Sequence, residues 1–274
     1  MSTPAATPLA PPPAHSPAQP LDPFAPFRLD EKVVIVTGTS SGIGWRFAEV
    51  LHAAGAQVVM AARRLDRLEE LAAQLPGSVA VQCDASETDQ CDELVTTTLE
   101  RFGRVDVLVN NAGTVALHKP EDEPMSDLRR VMAINLDAAF YLSQQCAKRH
   151  MLPARKGVIV NVASILGMVS SERLPQASYA ASKGALVNLT RELACLWARK
   201  GIRVNALCPG FFESELTSDL VGDEGGINWL KRRTPMGRIG RGDELDGALL
   251  FLASNASTYV TGTTLAVDGG WTAA

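Results

Sequence analysis

Lys32-Val33-Val34-Ile35-Val36-Thr37-Gly38-Thr39-Ser40-Ser41-Gly42-Ile43-Gly44 is the stretch that decides the fold. It opens as a β-branched run with apolar residues on both faces, the pattern of a strand buried in a parallel sheet. Glycines at 38, 42 and 44 then let the chain turn tightly, and a helical pattern follows from about Ile43 to Ala54. A turn of this kind brings backbone N–H groups close to a phosphate, and the helix N-terminus adds a favourable dipole. Alone, the turn could be a plain loop. Set between strand and helix, with the spacing G-x-x-x-G-x-G, it reads better as a nucleotide-binding turn.

Outward from this unit the same alternation repeats. Strand-like runs are Gln57–Ala61, Val79–Gln82, Val105–Val109, Gly157–Val162, Ile202–Leu207 and Thr264–Val267. Helical patterns lie between them at Asp66–Gln74, Glu87–Phe102, Met125–Met151, Ala177–Arg199 and Asp243–Leu252. Regular βαβ alternation predicts an α/β chain: one doubly wound domain over residues 29–274, its seven-stranded parallel sheet flanked by helices. Ligands of such a domain bind outside the carboxyl ends of the strands, where strand order reverses.

Composition narrows the function. The 274 residues are 46% apolar and carry a formal charge of −4, which argues against nucleic acid as a partner. No run of eighteen apolar residues suggests a membrane span. Five scattered cysteines and four dispersed histidines match no disulfide framework and no zinc pattern, so no metal is expected. Residues 1–28 hold nine of the sixteen prolines and lack the features of a secretory or mitochondrial leader. They are expected to form a disordered, partly polyproline-like tail, and a cytoplasmic location follows.

Tyr179-Ala180-Ala181-Ser182-Lys183 sets a phenol and an ammonium four residues apart within a predicted helix. That spacing stacks the two side chains on one face. A neighbouring cation favours phenolate, so the lysine is expected to lower the tyrosine pKa and suit it to proton transfer. The ordered set Thr37-Gly38-x-x-x-Gly42-Ile43-Gly44, then Asn110-Asn111-Ala112-Gly113, then Ser164, then Tyr179-x-x-x-Lys183 resembles the short-chain dehydrogenase/reductase family, whose members are NAD(P)-binding Rossmann-fold oxidoreductases. The resemblance runs over about residues 29–274. It implies that Tyr179 is the general acid/base, that Ser164 hydrogen-bonds the substrate carbonyl oxygen, that Lys183 binds the nicotinamide ribose and tunes the tyrosine, and that Asn135 holds a water in a proton relay. Fifteen positions separate Ser164 from Tyr179, where most members have thirteen. The extra residues lie around Ser170–Pro175 and reshape the substrate side of the cleft.

The resemblance also implies a cofactor site. Gly38, Ser40, Ser41, Gly42, Ile43 and Gly44 would cradle the pyrophosphate. Asp84 with Ala85 beside it would contact adenine; Asn111, Ala112 and Gly113 would line the ribose side; Tyr179 and Lys183 would reach the nicotinamide half. Pro209 and Gly210 resemble the nicotinamide shelf, with Phe212 and Ser214 reaching the carboxamide and pyrophosphate. At the end of the second strand, where NAD enzymes present a carboxylate, stands Ala62 followed by Arg63 and Arg64. Arginines grip a 2′-phosphate that a carboxylate would repel, so NADP(H) is expected, with Arg63 as the main contact and NAD(H) as the alternative. Ser41, where many NADP enzymes of the family carry a basic residue, weighs slightly the other way. Phe211–Arg238 reads as a helical lid over the substrate or as a surface helix. The family usually forms homotetramers through its two long helices, here Met125–Met151 and Ala177–Arg199. The expected activity is reversible hydride transfer between nicotinamide and a small carbonyl or secondary alcohol. A reductase of carrier-bound 3-oxoacyl thioesters and a catalytically silent nucleotide-sensing or scaffold protein are the rivals.

Overall fold

The computed structural model describes residues 21–212 and 224–274. Seven parallel strands form one sheet in the order β3-β2-β1-β4-β5-β6-β7. The strands are β1 (Val33–Thr37), β2 (Gln57–Ala62), β3 (Val79–Gln82), β4 (Val107–Asn110), β5 (Gly157–Val162), β6 (Ile202–Pro209) and β7 (Thr264–Val267). The helices are α1 (Gly42–Ala53), α2 (Leu65–Gln74), α3 (Thr88–Phe102), a long run α4 from Met125 to Ala154, α5 (Ala177–Trp197), α6 (Glu224–Arg233) and α7 (Asp246–Ala253). Strand order reverses between β1 and β4, so the loops leaving those two strands diverge and open a crevice at the carboxyl edge.

Period-2 alternation explains the layering. Val34, Val36, Val58 and Met60 point to one face and pack on Phe47 and Leu51 of α1, Leu68 and Leu71 of α2, and Leu249 and Leu252 of α7. Val33, Ile35, Val59 and Ala61 point to the other, against Leu94 and Val95 of α3, Leu142 and Cys146 of α4, and Leu193 of α5. Each fully buried aliphatic side chain contributes about 1.5–3 kcal/mol of transfer free energy. Buried Asp106 secures the opposite edge: its carboxylate accepts the Val33 N–H at 3.0 Å and a guanidinium fork from Arg104 at 2.6 and 2.7 Å.

Three elements depart from the sequence reading. The long helix expected over Met125–Met151 is interrupted by π turns at Ala133–Asp137 and Ala147–Met151. β6 runs on through Pro209, which needs no donor at the strand's end. α7 begins at Asp246, after a 3-10 turn at Gly242–Leu245. Among the described residues no helix is long and apolar enough to cross a membrane.

Candidate active site

The glycine-rich turn is fixed by a second loop. Gly38 and Gly42 adopt left-handed φ values of 72° and 54°, which glycine takes at no steric cost. A side chain at Gly44 would collide with the Gly38 carbonyl and the Asn111 amide. The Asn110–Gly113 loop then braces the turn. Thr37 Oγ1 accepts the N–H groups of Asn111 (3.1 Å) and Ala112 (2.9 Å), and Asn111 Nδ2 donates to the carbonyls of Thr37 (2.9 Å) and Gly38 (3.3 Å). Asn110 points the other way, into the protein. Its Nδ2 sits 2.9 Å from Asn161 Oδ1, and Asn161 Nδ2 donates to Thr190 Oγ1 at 2.9 Å. β4 and β5 pair Asn110 with Asn161, so this amide ladder ties the central strands to α5.

A cleft of about 510 Å³ runs along this edge. It is lined at one end by Ser40, Arg63 and Arg64, in the middle by the glycine-rich turn with Asn111 and Gly113, and at the other end by Ser164, Tyr179, Lys183, Pro209, Gly210 and Phe212. Ser41 and Ile43 also line it, as do Thr114, Val162 and Ala163, which the sequence reading did not single out. Ala112 lies behind the wall, in close contact with Gly38. Asp84 and Ala85 are not among the lining residues: Asp84 accepts hydrogen bonds from the Ser86 N–H (3.0 Å) and hydroxyl (2.7 Å) instead. Ser214 lies outside the described residues, as do the other residues from 213 to 223 of the expected lid. The later part of that segment is the helix α6.

The catalytic candidates converge. Ser164 ends β5 and caps a 3-10 turn, its Oγ accepting the Leu166 N–H at 3.1 Å. Tyr179 and Lys183 share one face of α5, with Nζ 5.7 Å from the phenol ring centroid. The Tyr179 hydroxyl hydrogen-bonds Ser164. Lys183 is buried; its Nζ donates to the Val162 carbonyl at 2.7 Å. A methyl group built on Gly113 would lie 3.5 Å from both Lys183 Nζ and Asn135 Oδ1, so bare backbone is what leaves the middle of the cleft open there. Asn135 sits on the first π turn of α4. Its Oδ1 accepts the Thr114 N–H at 2.8 Å, and its Nδ2 donates to the Thr114 carbonyl and Ser182 Oγ, both at 2.9 Å.

The electrostatics correct one expectation. Spacing suggested that Lys183 lowers the Tyr179 pKa. In the structure burial raises it, and the Ser164 hydrogen bond only partly opposes that. Burial also lowers Lys183 to about 8, because the ammonium is the form that loses hydration. Desolvation is the largest cause at both groups and sets the direction of each shift. Behind the pair, burial pushes the Cys208 thiol up to about 11. Among the described residues no group of three or more His, Cys, Asp or Glu side chains converges as a metal ion would need.

Which arginine faces the far end is also resolved in more detail than the sequence allowed. Arg64 reaches across the turn, its Nε and Nη2 donating to Ser40 Oγ at 3.2 and 3.0 Å. Arg63 uses its carbonyl to accept a hydrogen bond from Gln82 Nε2 at 3.0 Å. The cleft therefore suits a dinucleotide: close backbone at the centre, cations at one end, and a hydroxyl pair with a buried amine at the other.

Comparison with known proteins agrees with this geometry. The sequence model of the family described as enoyl-(acyl carrier protein) reductase matches residues 38–272. The gluconate 5-dehydrogenase of Gluconobacter oxydans (strain 621H) is 39% identical over 251 residues, covering 90% of this chain and 96% of that protein. A gluconate 5-dehydrogenase from Burkholderia cenocepacia J2315, solved with NADP and tartrate, superposes with a TM-score of 0.87 at 38% identity, over 92% of this chain and 99% of that one. An NADPH-dependent 3-quinuclidinone reductase from Rhodotorula rubra superposes with a TM-score of 0.86 at 32% identity, over 97% of this chain and 100% of that one. A sheet, a cleft and a Ser-Tyr-Lys constellation in this order place the chain in the short-chain dehydrogenase/reductase family of oxidoreductases.

Proposed function

We propose that this chain interconverts a ketone and the matching secondary alcohol with NADP(H). The observation that carries the reading is convergence: Ser164, Tyr179 and Lys183 meet at one end of a single cleft whose other end holds Ser40, Arg63 and Arg64. Bound there, the nicotinamide supplies or accepts the hydride. Backbone at Gly38, Ser41, Gly42, Ile43 and Gly44 would hold the pyrophosphate at the α1 N-terminus. Arg64, oriented by Ser40, and Arg63 would hold a 2′-phosphate through charge-assisted hydrogen bonds. Asn111, Ala112 and Gly113 would flank the ribose, with Pro209, Gly210, Phe212 and Ser214 around the nicotinamide. Asp84 and Ala85 would approach adenine only from beyond the cleft wall.

Tyr179 gives its hydroxyl proton to the substrate oxygen in reduction and takes it back in oxidation. Burial keeps the phenol protonated at neutral pH, the form that a reduction needs. Ser164 donates to the same oxygen as negative charge develops there. Lys183 would hold ribose hydroxyls and pass protons onward. Both donors of the Asn135 amide are engaged by Thr114 and Ser182, so its part in a water relay would run through carbonyl oxygen. Removing only the hydroxyl, in Tyr179→Phe, is expected to lower kcat by at least a factor of about 10², with the NADPH Kd within twofold of wild type. Turnover that survives the substitution would sink the assignment.

The relatives named above are small-molecule dehydrogenases and reductases, which supports a diffusible substrate over a carrier-bound one and a working enzyme over a silent scaffold. A homotetramer formed through α4 and α5 is the assembly we propose, in the cytoplasm. Exposed Phe140 and Leu196 on these helices support it, and light scattering that gives a monomer would remove it.

A further inference from the structure

We infer that Arg130 is a positioning residue for proton transfer: it anchors Thr114, and Thr114 in turn holds the Asn135 amide beside the helix that carries Tyr179. This role rests on the carbonyl-reductase reading above, with Asn135 as a member of its proton relay. Arg130 itself stands behind the cleft, while Thr114 is part of the wall.

The chain leaving β4 is irregular. Asn111 and Ala112 are tied to Thr37. From Gly113 to Leu117, the hydrogen bonds to other described residues are all made by Thr114. Three of its groups take part. Its N–H donates to Asn135 Oδ1 at 2.8 Å, its carbonyl accepts from Asn135 Nδ2 at 2.9 Å, and its Oγ1 accepts from Arg130 Nη1 at 3.0 Å. The last is a charge-assisted bond, the stronger kind.

The guanidinium is held in turn. Asp127 and Arg130 lie three apart on α4 and are therefore neighbours on its surface. Arg130 Nε and Nη2 donate to Asp127 Oδ1 at 3.3 and 3.1 Å. The other carboxylate oxygen, Oδ2, lies 2.8 Å from His118 Nε2. One Asp–Arg pair near the start of α4 thus pins the loop twice, at Thr114 and at His118. The pair is 28% and 45% exposed, so it contributes little to global stability. Its effect is on geometry.

That geometry reaches Tyr179. Asn135 sits on a π turn, a rare helical form. Its buried amide joins the turn to the loop through Thr114 and to α5 through Ser182, whose Oγ accepts from Nδ2 at 2.9 Å and donates to the Tyr179 carbonyl at 2.7 Å. Hydrogen bonds therefore run unbroken from Arg130 through Thr114, Asn135 and Ser182 to Tyr179. With Arg130 removed, Thr114 keeps only the amide that it is meant to hold.

The test uses the full chain with NADPH, followed at 340 nm, on cyclohexanone and on 5-keto-D-gluconate, an uncharged and an anionic ketone. Arg130→Ala is expected to lower kcat about tenfold, with the ketone KM and the NADPH Kd within twofold of wild type. The solvent deuterium isotope effect on kcat should rise, because proton transfer becomes the slow step. Thr114→Val removes Oγ1, keeps both backbone bonds to Asn135 and should reproduce the loss; the double variant should be no slower than either single one. Thr114→Val decides alone if the arginine variant fails to fold. Wild-type kcat in the single variants, or losses that add in the double variant, overturn the inference. A raised KM for 5-keto-D-gluconate alone, with the isotope effect unchanged, also overturns it and makes Arg130 a carboxylate binder. Asn135→Ala with wild-type kcat removes the relay that Arg130 is said to serve. Turnover of neither ketone, with NADPH still bound, overturns the reductase reading itself.

Discussion

Lys183 offers a test of the dry site that does not depend on knowing the substrate. Its ammonium is buried and its pKa falls from an ordinary 10.5 to about 8. A group that binds its proton less tightly when folded makes stability rise with pH across the window between the two values. Below about 8 the folded state bears the full cost of a desolvated cation; above 10.5 that cost is gone, and the sign is therefore stabilisation on going alkaline. With both values inserted, the contribution changes by about 2.5 kcal/mol between pH 7 and pH 10. For a domain of this size that equals about 5–10 °C in Tm. Other groups titrate in the same window, so the quantity to measure is a difference. Lys183→Met keeps the length and bulk of the side chain but cannot titrate. Urea unfolding of both proteins without cofactor, at several pH values, should show wild type gaining on the variant by that amount as pH rises. A stability gap that stays flat from pH 7 to pH 10 would refute the argument, since Lys183 would then keep an ordinary pKa and the site would be wet.

Two further expectations concern the ends of the molecule. Arg64→Ala removes the guanidinium that Ser40 orients; losing charge-assisted hydrogen bonds of about 1.5–3 kcal/mol should raise the KM for NADPH about 10- to 100-fold and leave that for NADH nearly unchanged. Equal losses with both cofactors would place the 2′-phosphate elsewhere. At the opposite edge, Asp106→Ala strands the Val33 N–H and leaves Arg104 and Lys32 without their carboxylate, which should cost about 3 kcal/mol in urea unfolding. Because Arg104 and the Val33 N–H hold the Asp106 carboxyl below its ordinary pKa, its stabilisation is full above that ordinary value and is lost as pH falls through the folded one. A variant as stable as wild type at pH 7 would show that the ion pair contributes nothing.

The fold was legible because its signals are local. Runs such as Val33–Val36 are apolar on both faces, and only a sheet covered by helices on each side accommodates that. Glycines at 38, 42 and 44 announce a turn that no other residue could make, and Tyr179 and Lys183 announce a shared helix face. What stayed hidden depends on registers that no single segment encodes. The Asn110–Asn161–Thr190 ladder exists because β4 and β5 align those positions and α5 lies above them. The π turn that carries Asn135 leaves no mark in an otherwise ordinary helical pattern. Arg64, and not its neighbour, reaches Ser40 because the glycine-rich turn curls back towards the end of β2, a matter of three-dimensional approach.

The Tyr179 shift is the most instructive difference. Spacing fixes how far a charge lies from a phenol, and that distance alone points to a lower pKa. Burial is set by everything else that packs around the two groups, including the apolar cluster of Ile165, Leu166, Leu230 and Trp271 against which Tyr179 packs and the carbonyl of Val162. With hydration removed, both groups move toward their neutral forms, the phenol upward and the amine downward. The same dryness that penalises the charged form of each group strengthens the interactions that remain in the cleft, including the hydrogen bond from Ser164. A charge brought in with the nicotinamide would be felt strongly there for the same reason, so the proton-transfer pair is poised to respond to its cofactor more than to bulk pH.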